Sequence, residues 1–202
     1  RPASDLYIFS ATALDFLLPN RLHSLFRPEA LTAWGNEIAP VSERTIAIGY
    51  GALLLAVTAL VVRGRQVALW GVAALIFALL ALGPRMHALA ITMEDIPTDV
   101  TNVQEWSLYA LVNTLVPFMR ISRSVSRFAI MVQLAVAALA GVGLAWCLRH
   151  LRAQMVSVVG VGALAVVLAE AWVMPYPMSP PDTPAYYETL AQQAGSGAVL
   201  NL

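Results

Sequence analysis

The sequence predicts an all-α polytopic membrane protein, with about four transmembrane helices in two antiparallel hairpins and short interfacial or re-entrant helices in the outer loops. Three observations predict it. Of 202 residues, 59% are hydrophobic and only 12% charged, with a mean hydropathy of +0.71, a balance outside that of ordinary soluble domains. Four runs of 18 to 21 residues, near 45–62, 66–83, 128–148 and 155–174, hold at most one charged side chain each. A soluble helix cannot be that uniform, because one of its faces must meet water. The runs also come in pairs divided only by Arg63-Gly64-Arg65 and by Arg149-His150-Leu151-Arg152, connections so short that each pair must lie as antiparallel neighbours.

Taken in order, residues 1–44 read as an extracytoplasmic loop with short interfacial helices. Apolar pieces at Leu6–Phe9 and Leu14–Leu18 are separated by Pro19, Asn20, Pro28, Gly35, Asn36 and Pro40, which forbid a long helix. Residues 45–83 form the first transmembrane hairpin. Residues 84–127 return to a mixed, polar composition. Within them the apolar piece at 108–119, interrupted by Asn113 and Pro117, is too short to cross and reads as re-entrant or interfacial.

Residues 128–174 form the second hairpin, in which Ala137, Gly141 and Ala145 on one span and Ala165 and Ala169 on the other offer small faces for close helix contact. From 175 onward, Pro175, Pro177, Pro180, Pro181 and Pro184 begin an extracytoplasmic segment that cannot continue the helix. The opening at Arg1 without a preceding signal segment, and the ending within Ala198–Leu202, predict a piece of a longer protein.

Arginines at both tight turns place the turns on the cytoplasmic side and the three long segments outside, by the positive-inside rule. The 12 basic residues, all arginine, balance 12 acidic ones, so nothing in the charge suggests a nucleic-acid partner. The single Cys147 supports neither a disulfide framework nor a cysteine zinc site. There is no phosphate-binding loop, nucleophile elbow or His-Glu-x-x-His helix. Gly141-x-Gly143 and Gly160-x-Gly162 sit inside spans and read as packing glycines.

The candidate chemistry lies in the outer segments. Arg120, Arg123 and Arg127, spaced by three and four, would share one side of a helical turn at headgroup level. Permanently charged planar forks there suit a phosphate; the bland alternative is a set of interfacial anchors on ordinary lipid headgroups. Glu170, within the last span, needs a partner or a wet cavity, and Arg44 or Arg127 are the expected ion-pair partners. His23, Arg44 and Glu170 are therefore the polar candidates for an outer cavity. Asp5, Asp15, Glu37 and Glu43 are further possible bases or ligands; His87 and His150 read as interfacial polar residues. No metal ligand set and no cofactor site stands out, a divalent metal being left open.

Three stretches carry a resemblance: Leu18-Pro19-Asn20-Arg21-Leu22-His23-Ser24-Leu25-Phe26 with Glu43 and Ile48-Gly49-Tyr50; Leu115-Val116-Pro117-Phe118-Met119-Arg120 running into Arg123-Ser124-Val125-Ser126-Arg127-Phe128; and Leu139-Ala140-Gly141-Val142-Gly143-Leu144. Together with the order of loops and hairpins, they resemble the later part of large bacterial membrane proteins of the YfhO type. That resemblance implies a glycosyltransferase of the GT-C architecture in the bacterial cytoplasmic membrane. It implies a polyprenyl-phosphate sugar donor, a glycan or lipid acceptor at the outer face, and a lipid-linked phosphate held by Arg123 and Arg127. It also implies that the catalytic acid lies upstream of this chain.

Two readings of other classes compete. A lipid or glycan transporter or flippase would favour charged or broken helices at mid-membrane depth, and these spans hold neither. A non-catalytic membrane assembly subunit would use the outer C-terminal segment to bind its partner.

Overall fold

The computed structural model describes residues 4–19, 23, 46–87, 91, 96, 106–116, 119 and 124–172. Of these, 75% are helical and none belongs to a strand; the one bridge pairs Thr12 with His87. The helices are α1 (Ser4–Ile8), α2 (Tyr50–Ala81), α3 (Leu108–Leu115), α4 (Ala129–Arg149) and α5 (Ala153–Glu170). Short 3-10 turns stand at Leu14–Phe16 and Val125–Phe128. α4 with its leading turn and α5 are each long and apolar enough to cross a membrane, as is α2 taken over its whole length. The fold is that of an all-α membrane protein.

α2 folds back on itself. Arg63 alone leaves helical geometry, at φ −128° and ψ 21°, and the expected three-residue turn contracts to that one residue, with Gly64 and Arg65 already helical. Beyond it the chain reverses, so that a Cβ placed on Gly71 would touch the Leu60 side chain at 3.0 Å. In a continuous rod those two residues would lie about 16 Å apart. At the other end, the Ala11 N–H donates to the Ala81 carbonyl at 2.9 Å and the Ile48 N–H to the Phe16 carbonyl at 2.8 Å, which brings the start and finish of α2 under the same short segment.

α4 runs along both arms. Ala129, Val132, Val136 and Leu139 share one buried cluster with Ala56, Ala59, Val67 and Ala81. Its far end comes to the reversal, where Arg149 and Trp146 border a small cavity with Arg63. α5 returns to the opposite end, so four apolar rods form two antiparallel hairpins with both turns together. Arg63, Arg65, Arg149 and Arg152 crowd that turn end; the remaining described segments gather at the other, here called the loop end.

The helix bounds depart from the sequence expectation in two informative places. The first arm starts at Tyr50 rather than near residue 45, and residues 46–49 are not helical. Its 13 residues rise about 20 Å, short of a hydrocarbon core of about 30 Å. The last helix stops at Glu170, with Ala171 as C-cap, before Pro175 can act. Glu170 is thus terminal rather than a turn inside its span.

The small faces also differ. Ala137, Gly141, Ala145, Ala165 and Ala169 are exposed, and Cβ atoms added at Gly141, Gly160 or Gly162 would meet nothing within 4 Å. The close contact runs instead through Gly143, where a Cβ would overlap the Leu55 carbonyl oxygen and stand 3.3 Å from the Ala59 nitrogen. Ala52, Ala56 and Ala59 on the first arm face α4. An alanine stripe on the partner selected which small face of α4 could approach.

The N-terminal segment closes the loop end. Tyr7, Phe9, Ala11 and Phe16 are buried, and backbone N–H groups of Ala13 and Ser126 donate to the carbonyls of His87 at 3.0 Å and Phe9 at 2.9 Å. Both ends of α2 and the entry to α4 therefore hang from residues 9–16. α3, capped by the Ser107 hydroxyl accepting from the Ala110 N–H at 3.0 Å, buries Tyr109 in a second cluster with Leu80 and Val125. At eight residues it is about 12 Å long and cannot span.

Candidate functional site

A cavity of about 340 Å³ opens at the loop end, bordered by Leu17, Pro19 and His23 of the N-terminal segment, Ala47–Tyr50 and Ala52 at the start of α2, Gln133 of α4, and Val167, Glu170 and Ala171 of α5. Its walls exist because three elements end together. Gly49 supplies an extended N-cap, at φ −59° and ψ 139°, and the helix that follows leaves its first N–H groups without intrahelical partners.

Glu170 fills that vacancy. Both carboxylate oxygens lie 3.1 Å from the Gly51 nitrogen, a charge-assisted contact reinforced by the positive end of the helix dipole. The approach requires glycine. A Cβ on Gly49 would stand 2.5 Å from Glu170 Oε2, and one on Gly51 would stand 3.3 Å from it and 3.0 Å from Val166.

His23 reaches the same corner, its Nε2 2.8 Å from the Ala169 carbonyl oxygen. Since a carbonyl only accepts, Nε2 carries a proton and donates in this contact. The Tyr50 hydroxyl donates to the Leu17 carbonyl at 2.7 Å, and a Gln133 amide N–H reaches the Ala47 carbonyl at a long 3.5 Å. Val167, Ile48, Leu17 and Pro19 make the rest of the wall apolar.

Of the six residues singled out from sequence, the structure brings His23 and Glu170 into one cavity. The Glu170 contact is a backbone N–H, not the guanidinium of Arg127. Arg127 is exposed in the 3-10 turn before α4 and is not in the cavity's lining. Arg44, Arg120 and Arg123 lie outside the described residues, as do Glu37 and Glu43.

Two other sequence candidates have structural employment. Asp15, 7% exposed, accepts from the Thr12 N–H at 2.8 Å through Oδ2, while its own N–H donates to Thr12 Oγ1 at 3.2 Å, a reciprocal cap that shapes the turn. The His150 ring lies tilted by 42° against Trp146 with ring centres 4.3 Å apart, and Nδ1 donates to the Trp146 carbonyl at 2.8 Å. Among the described residues no three His, Cys, Asp or Glu side chains converge as a metal ion would need.

Sequence reasoning missed Tyr50, Gln133 and the glycine pair. Gln133 carried a signal, as a lone amide inside an otherwise apolar span. Gly49-x-Gly51 at the start of a charge-free run was another, legible only once an anionic partner was in view. Searches of protein-family models, of curated proteins and of solved structures find no match to this chain.

Proposed function

We propose that this chain belongs to a multi-pass protein of the bacterial cytoplasmic membrane that transfers a sugar from a polyprenyl-phosphate donor at the outer membrane face, with the loop end of the two hairpins facing outward. The observation that carries the reading is the cavity in which His23 and Glu170 meet apolar walls at the loop end. An amphiphile whose head reacts while its chain stays in lipid needs a polar corner beside such walls. The four arginines at the turn end support the orientation, since short basic connections stay cytoplasmic.

In this reading the arginine element Arg120, Arg123 and Arg127 holds the departing phosphate and stabilises its charge as the bond to the sugar carbon breaks. The attacking hydroxyl comes from a glycan or lipid acceptor. A general base takes its proton; the resemblance puts that residue, an acid, upstream of this chain, and His23 and Glu170 line the cavity.

The test supplies membranes containing the protein with radiolabelled polyprenyl-phosphate sugars and follows label into a second lipid or glycan. The double variant Arg123→Gln/Arg127→Gln is expected to lose about 100-fold in transfer while inserting in normal amounts. Transfer unchanged by the double variant, or no different from membranes lacking the protein, overturns the proposal.

A further inference from the structure

Donors and acceptors are unevenly placed around the cavity. The Tyr50 hydroxyl proton, the His23 Nε2–H and one Gln133 amide proton are all turned to carbonyl groups of the cavity's own walls, those of Leu17, Ala169 and Ala47. What the described lining presents to an occupant is mainly acceptor: the Glu170 carboxylate, the Tyr50 oxygen and the Gln133 carbonyl oxygen. The occupant must therefore bring donors.

Charge narrows the choice between a hydroxyl and an ammonium. Glu170 is the one Asp or Glu in the described lining, and that lining holds neither Arg nor Lys. The carboxylate is met by a single backbone N–H and by a helix terminus worth about half a positive charge. Within the described lining the corner thus carries a carboxylate and no Arg or Lys, and its apolar walls screen that charge less than open water would. A hydroxyl would satisfy the acceptors and leave the charge; an ammonium answers both. A phosphate in contact with the carboxylate would be repelled, so a phospholipid headgroup enters ammonium first, with its phosphate at the rim.

Size and surroundings define the rest of the ligand. At about 340 Å³ the cavity lies at the small end of small-molecule sites, roughly 300–1,000 Å³, room for a headgroup rather than a whole lipid. One turn from Val167 along α5, Leu164 is 59% exposed, and α5 has no buried residue, so a chain leaving the cavity would continue along apolar surface.

We propose that this cavity binds the primary ammonium headgroup of a bilayer aminophospholipid, with the Glu170 carboxylate as its counter-charge and the Tyr50 and Gln133 oxygens as further acceptors. The inference depends on the chain being membrane-embedded; it rests on the same cavity as the sugar-transfer reading, and separate readouts, lipid retention and label transfer, tell the two apart.

The test is native mass spectrometry of the protein in tetraethylene glycol monooctyl ether, with an equimolar mixture of phosphatidylethanolamine, phosphatidylcholine and phosphatidylglycerol of matched chains. Phosphatidylcholine has the same charge but no N–H donor; phosphatidylglycerol offers hydroxyls and a net negative charge. The expected result is retention of phosphatidylethanolamine roughly tenfold above either rival, the size of one charge-assisted contact.

Glu170→Gln keeps an oxygen for the Gly51 N–H but removes the charge, and should lower that retention about tenfold. Ala171→Trp, filling the cavity from its rim, should abolish it with helical circular dichroism intact. Equal retention of the ethanolamine and choline lipids overturns the proposal, as does preference for phosphatidylglycerol or full retention by both folded variants. The parent's selectivity alone is decisive should either variant fail to insert.

Discussion

The carboxylate of Glu170, the last residue of α5, sits on the first turn of α2 with each oxygen 3.1 Å from the Gly51 nitrogen. This contact joins the two hairpins at the loop end. Because α5 buries none of its own residues, the docking of its end depends on that carboxylate, on Val166 against Gly51 and on the His23 bond to Ala169, rather than on a packed helix face.

Glu170→Ala should lower stability by about 1 kcal/mol, the usual worth of a helix-terminus cap, and Glu170→Gln by less than half of that. Gly49→Ala should match Glu170→Ala, since its Cβ would stand 2.5 Å from Oε2 and push the carboxylate off the N–H. Thermal unfolding in detergent measures all three. An unaltered midpoint in both alanine variants would show that the joint carries no stability.

Gly143 and Gly141 lie two residues apart on α4 and should respond in opposite directions. A methyl at Gly143 would meet the Leu55 backbone, which cannot turn aside as a side chain would, so Gly143→Ala is expected to cost about 3 kcal/mol. Gly141 has open space around it, and Gly141→Ala should be neutral or stabilise the helix by up to about 1 kcal/mol. Equal effects on the unfolding midpoint would contradict the tight face assigned to Gly143.

Tyr109 is fully buried, and its hydroxyl, like Asn113 Oδ1 one turn on, has no hydrogen-bond partner among the described residues. Burial raises its phenol above the ordinary 10.0, because the folded surroundings disfavour phenolate. The folded state thus holds this proton more tightly than the unfolded state. The resulting stability is complete below pH 10 and is lost as pH rises through the raised folded value. Tyr109→Phe should therefore lessen the alkaline loss of stability. Near pH 7 it should be neutral or stabilising by about 1 kcal/mol, since an unpartnered hydroxyl no longer has to be buried. Clear destabilisation at pH 7 would reveal a hydrogen bond to that hydroxyl.

Asp15 tests whether a buried acid here is structural. Asp15→Asn keeps an oxygen for the Thr12 N–H and should cost less than about 1 kcal/mol, whereas Asp15→Ala opens the reciprocal cap and should cost about 1–2 kcal/mol. Neither should alter lipid retention or transfer, because Asp15 lies outside the cavity's lining. A loss of lipid retention in Asp15→Asn at unchanged stability would reverse that assignment.

How much of this was legible beforehand differs between rods and site. Charge-free runs and two basic turns determine helices, pairing and which ends lie together, because hydrocarbon tolerates few charges and an unpaired backbone not at all. The helix bounds were less legible, since the first arm's start at Tyr50 depends on Gly49 as N-cap and on a carboxylate 119 positions further along the chain.

The small-residue stripes misdirected for a related reason. Spacing on one helix says that a face is narrow, but whether it is used depends on the alanines of the partner. His23 and Glu170 could each be marked as polar residues out of place, yet their meeting in one cavity, with His23 bonded to the Ala169 carbonyl 146 positions away, belongs to the tertiary structure alone.

The sequence by itself therefore determined the medium and the hairpins, properties that each segment carries in its own composition. Only the tertiary structure decided the cavity, the face of α4 that packs and the partner of Glu170. Those depend on distances between segments remote in the chain, and no local pattern of apolar and polar residues encodes such distances.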